Sequence, residues 1–139
     1  MVLRDPRVDL AVLETARGGL VRAGMGYRAC NVGAVLNVSA DHLGLGGIDT
    51  LEQLAEVKRI VVEVARDCAV LNADDEHCLR MADYTAAKRI GYITMNPKHE
   101  LVRRHIRAGG LSAVLEEGIN GDMITIYDKG THIPCSGPT

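Results

Sequence analysis

The chain has 139 residues, enough for one domain with a real core. Its 16 Lys and Arg stand against 18 Asp and Glu, a net charge of −2 with both signs mixed along the chain, so no large basic field exists to collect nucleic acid or anionic lipid. There is no Trp, no Phe and only 4 Tyr, so the core must be aliphatic and base stacking is not its main work.

No apolar run is long enough to span a bilayer, and the opening MVLRDPRVD, broken by charges and a Pro, is not a signal peptide. Cys30, Cys68, Cys78 and Cys135 form no C-x-x-C pair and no zinc-finger spacing with His. The chain reads as a cytoplasmic protein with reduced thiols.

Residues 1–6 are polar and end at Pro6, like the tail of an element that begins earlier. Residues 8–13 (VDLAVL) form a first apolar run, ending at Glu14. Gly18-Gly19 leave room for a short helix with Leu20 and Val21 turned inward, and a turn is expected over 27–31. Residues 32–36 (VGAVL) form a second apolar run, ending at Asn37. A loop with Asp41 and His42 and a glycine-rich turn then lead into a long helix predicted over 51–66. Thr50 is a good N-cap, and Gln53 three residues later completes a capping box.

The apolar residues of that helix, Leu51, Leu54, Ala55, Val61, Val62 and Ala65, cluster on one face at ~100° per residue. Lys58 falls in the middle of that face. An unpaired ammonium would cost several kcal/mol to bury. Either its stem lies on the apolar surface and its head snorkels to water, or it points into a polar site roofed by the loop of Asp41 and His42.

A third apolar run, 68–71 (CAVL), ends at Asn72. A helix over 75–84 comes next, capped by an Asp and turning Cys78, Leu79, Met81 and Ala82 inward. Residues 89–93 (RIGYI) are a fourth strand candidate, ending at Thr94. A basic helix over 97–108 starts with Pro in its first turn and stops at Gly109-Gly110. Thereafter 111–115 and 123–127 alternate in period two around EEGINGD, and 131–134 is one more short strand, which makes an antiparallel tail. His77, His99, His105 and His132 fall on surfaces by pattern.

Short apolar runs alternating with helices predict an α/β fold, a parallel sheet flanked by helices, with a C-terminal antiparallel β extension. Ligands of such sheets bind beyond the carboxyl ends of the strands. Here those ends are Glu14, Asn37, Asn72 and Thr94, with Asp41-His42 just past the second. Two carboxylates suit a hard cation such as magnesium, and His42 suits an acid, a base or an orienting donor. A solvated Glu14 and a loop His42 bonded to backbone remain the plainer alternatives. The sequence holds no G-x-x-x-x-G-K-[ST] loop, no G-x-S-x-G elbow and no evident Cys/His nucleophile pair.

LETARGG (13–19), NVSADHLGLGGIDTLEQLAEVK (37–58) and VLNADD (70–75), taken in order, resemble the Mur-ligase family of ATP-dependent amide ligases. The details resemble most a branch that adds arginine to aspartate side chains of a polymer. The resemblance implies that residues 1–108 are part of the family's central ATPase-type α/β domain, and that 109–139 are a β extension of it and the start of a linker. It also implies activation of a carboxylate by magnesium-bound ATP as an acyl phosphate, which an incoming amine attacks. By position, Glu14 matches the glutamate that holds the ATP-side magnesium, and His42 a histidine near a second magnesium. Lys58 matches a lysine that is often carbamylated to hold that second metal. Lys58 and His42 are thus the implied catalytic pair. Asn37 and Asp41 would shape the loop that carries His42, and Asn72 and Asp74 match the nucleotide side. Partners would be ATP, arginine, aspartate and the growing polymer. Because the family's phosphate loop is absent from the sequence, the resemblance implies a ligase fragment with little activity alone, in which a homodimer could cover a bare sheet edge.

Overall fold

The computed structural model describes residues 4–16, 26–40, 43–44 and 47–135. In chain order its elements are β1 (Cys30–Val35), α1 (Leu51–Glu63), β2 (Ala65–Asn72), α2 (Glu76–Arg80), a 3-10 turn (Met81–Tyr84), β3 (Arg89–Thr94), α3 (Glu100–Arg107), β4 (Leu111–Gly118), β5 (Gly121–Asp128) and β6 (Thr131–Cys135). The six strands form one sheet in sequence order. β1 to β4 run parallel, and β5 and β6 add antiparallel. This is the expected α/β architecture with its antiparallel end. β4 is the pivot, since it pairs parallel with β3 on one edge and antiparallel with β5 on the other.

Sequential strand order with right-handed crossovers places α1, α2 and α3 on the same face of the sheet. Burial agrees with that geometry. Val35, Ala69, Leu71, Tyr92 and Val114 point to the helices and meet Leu54, Val62, Cys78, Met81 and Val102 in one core. On the opposite face Val32, Ile124 and Ile133 stay exposed among the described residues.

α1 starts as the sequence requires. The Thr50 side chain accepts from the Gln53 N–H, and the Gln53 side chain accepts from the Thr50 N–H. It ends three residues short of the expected Arg66 because Ala65 already pairs with Cys30 as the first residue of β2. Gly33 lets the helix approach β1 closely, since a Cβ there would run into the Val61 carbonyl. α2 is capped by Asp75, whose Oδ1 accepts from the N–H groups of His77 and Cys78. α3 begins later than expected, at Glu100, and its close is made by Gly109 at φ +85°, a left-handed conformation that favours glycine.

Two expectations need correction. Residues 8–13 form no strand: Leu10 is 82% exposed and Val12 89% exposed. An apolar run becomes a strand only where a ladder and a covered face receive it, and neither meets this segment among the described residues. His99 and His105 are not plain surface residues. Each ring sets a nitrogen 2.9 Å from a carbonyl oxygen, that of Ala73 and that of Ile90 respectively, and His105 packs edge-on against Tyr92. The helix expected after Gly18-Gly19 lies outside the described residues.

Candidate functional site

The carboxyl ends of β1, β2 and β3 carry a connected set of polar groups. Lys58 projects from the core-facing side of α1, half-buried, between Leu54 and Val62. Its ammonium does not go to open water. Nζ donates to the Asn37 carbonyl at 2.9 Å and reaches Asn37 Oδ1 at 3.4 Å. The stem therefore covers apolar surface while the charge sits on the backbone where β1 ends, a partnered form of snorkelling.

Around it the edge is laced together. Asn72 Nδ2 donates to the Leu36 carbonyl at 2.8 Å, which ties the end of β2 to the end of β1. Asn72 Oδ1 accepts from the Asp74 N–H at 2.9 Å. The Asp74 carboxylate accepts from the buried Thr94 hydroxyl at 2.5 Å and from the Met95 N–H at 2.7 Å, which ties β2 to β3. Asp75 caps α2 with one oxygen and with the other accepts from the Val38 N–H at 2.8 Å. Val38 opens the segment that leads to Asp41 and His42, so one carboxylate fixes both the helix start and the root of that loop. Burial first, then the Asp75 carboxylate, pushes the Cys78 thiol up to about 12, so it stays protonated and inert at neutral pH.

Lys58, Asn37, Asn72 and Asp74 are thus brought to one edge. Glu14 is exposed in the irregular segment, and no hydrogen bond or ion pair among the described residues joins it to Lys58. His42 and Asp41 lie outside the described residues. Among the described residues no three His, Cys, Asp or Glu side chains cluster as a metal site, so these residues do not by themselves make a magnesium centre. Sequence reading missed the Thr94–Asp74 bond, the second role of Asp75 and the His99 tether. Only the Asp75 cap carried a local signal; the other links join segments far apart in the chain.

Over residues 2–133 the chain matches the Mur ligase middle domain, and it belongs to that family. Among curated relatives it is similar to cyanophycin synthetases: 52% identical to that of Trichormus variabilis, 51% to that of a Nostoc species and 49% to that of a Synechocystis species. Each similarity covers 98% of this chain but only 16% of the relative's length.

Proposed function

We propose that the chain is the lysine-bearing part of the Mur-like half of an ATP-dependent amide ligase of cyanophycin synthesis. The observation that carries this reading is the placement of Lys58, an amine held on the apolar face of α1 and aimed at the carboxyl end of β1. In this reading the complete enzyme activates a carboxylate as an acyl phosphate and joins arginine to aspartate side chains of the polymer. When bound, magnesium and ATP would supply the phosphoryl group and neutralise its charge. Glu14, His42 and Lys58 would hold the metal. Asn37, Asn72 and Asp74 would shape the edge beside the nucleotide, their side chains being engaged with neighbouring backbone or the Thr94 hydroxyl.

Lys58 has a specific task here. Its ammonium first gives a proton to solvent; the amine then attacks carbon dioxide, a C–N bond forms as one C=O π bond opens to C–O⁻, and a second proton passes to solvent. A cation becomes a carbamate whose oxygens can serve a hard metal. The chain offered 13C-bicarbonate should show a carbamate carbonyl resonance by NMR that Lys58→Met abolishes. A resonance that survives the substitution, or none in the parent chain at saturating bicarbonate, argues against the role. The chain alone should neither bind Mg-ATP tightly in calorimetry nor release phosphate in response to arginine; both together would overturn the view that it is a part and not the whole machine. The setting is cytoplasmic, which the four free cysteines suit.

A second reading, a non-catalytic interaction module, is favoured by the exposed Val32 on β1, which among the described residues is an edge of the sheet. It leads to a homodimer through that edge. Sedimentation equilibrium should then show a dimer that Val32→Asp dissociates; a monomer at all concentrations removes this reading.

A further inference from the structure

Between α3 and the β4–β5 hairpin, on the helix-covered face of the sheet, lies a cavity of about 130 Å³. About 10–15 Å³ suffices for one water, while drug-sized ligands occupy ~300 Å³ or more, so the space suits a molecule of a few heavy atoms and not a nucleotide. Buried Val102 and Val114 are among its apolar lining. The charged lining comes from two elements. Arg103 and Arg107, one turn apart on α3, stand on the helix side, and Glu116 stands on the hairpin side.

These opposite charges do not neutralise each other. Glu116 accepts from the Tyr127 hydroxyl at 2.6 Å through one oxygen and from the Thr125 hydroxyl at 3.1 Å through the other. Thr125 is buried, so the carboxylate is fixed in place by neutral donors. The bond to Glu116, then burial, pushes the Tyr127 phenol up, which keeps it protonated as a donor at neutral pH. Across the cavity Arg103 reaches only the Pro97 carbonyl at 3.4 Å, and Arg107 has no ion-pair or hydrogen-bond partner among the described residues. Two cations and a pre-positioned anion held apart by a small space are the lining that a molecule carrying both signs would complete.

We propose that this cavity binds a small zwitterion of the amino-acid class, its carboxylate on Arg103 and Arg107 and its ammonium on Glu116. None of Lys58, Asn37, Asn72 and Asp74 lines the cavity, and the proposal does not rest on the ligase reading. The probe is γ-aminobutyrate, with butyrate and butylamine as matched controls that each lack one charge. Amide shift mapping of the intact chain should show saturable changes confined to α3, β4 and β5 with γ-aminobutyrate, and at least about tenfold weaker binding of either control, the scale of one lost charge-assisted bond. Arg103→Gln with Arg107→Gln, and separately Glu116→Gln, should each weaken the zwitterion to the level of the corresponding control while melting temperature confirms folding. No saturable shift up to the solubility limit overturns the proposal. So does butyrate binding as well as the zwitterion, which would mark a plain anion site. The matched controls keep the test decisive on the parent chain if a variant fails to fold.

Discussion

Two stretches of this chain read almost alike. DLAVL (9–13) and DCAVL (67–71) share four of five residues, and each runs into a polar residue, Glu14 and Asn72. The second is the spine of β2, with Ala69 and Leu71 fully buried; the first is irregular, with Leu10 and Val12 largely in solvent. The difference is not propensity but company. β2 has β1 and β3 hydrogen-bonded on its two edges and helices over one face. Residues 8–13 have no ladder among the described residues. A short apolar run is an offer of a strand, and its neighbours decide whether the offer is taken.

Alanine substitution should break the likeness most sharply. Leu71→Ala removes a fully buried side chain from the middle of the core and should cost ~2–5 kcal/mol in urea unfolding. Val12→Ala, the position before the equivalent leucine, should stay within ~0.5 kcal/mol because its side chain is already in water. A large loss at Val12 would mean that residues 8–13 are packed in solution and that the two stretches behave alike after all.

A smaller effect should come from Asp75, which sits just past the second stretch and has no counterpart past the first. It caps α2 and also accepts from Val38, so Asp75→Ala leaves unsatisfied donors in two segments at once. The expected loss is ~2 kcal/mol, above that of an ordinary cap. Asp75→Asn, which keeps one acceptor oxygen, should recover part of it. Full recovery in Asp75→Asn would show that the cap alone matters and that the tie to Val38 is idle.

The sequence made the central features of the fold legible because they are local. Thr50 and Gln53 announce a helix start, Asp75 announces another, and Gly109 announces a stop; the structure has all three. Lys58 stood out for the same reason, as a charge inside a 3.6-residue apolar rhythm. Its partner could not be read, since it is the backbone carbonyl of Asn37, 21 residues away, and a carbonyl has no signature in sequence. Asp74 was legible only through the family resemblance, and nothing in sequence told that Thr94 and Met95 would occupy both its oxygens. The same blindness to distant partners let residues 8–13 pass for a strand.

The smallest expected effect lies at the first residue of each stretch, Asp9 and Asp67. Asp9 forms no hydrogen bond or ion pair among the described residues, whereas Asp67 accepts from Asn31 Nδ2 at 2.8 Å and pairs with Lys88 at 3.4 Å. The Asn31 amide, then Lys88, hold the Asp67 carboxyl below the usual carboxylate range. A carboxylate lowered on folding stabilises the fold above its unfolded pKa of ~3.9, and that contribution is lost as pH falls through the lower folded value. Asp67 is exposed and its partners compete with water and salt, so its share of the acid-side loss of stability is slight. Asp67→Asn should flatten the pH dependence of stability a little on the acid side and leave it unchanged near neutrality. A carboxyl-carbon NMR titration gives the direct reading: Asp67 should titrate below ~3.9 and move back toward that value when Asn31 is changed to Ala. A titration at or above that value in the parent chain would mean that the tie between β1 and β2 is absent in solution, and one of the supports that distinguishes the second stretch from the first would be gone.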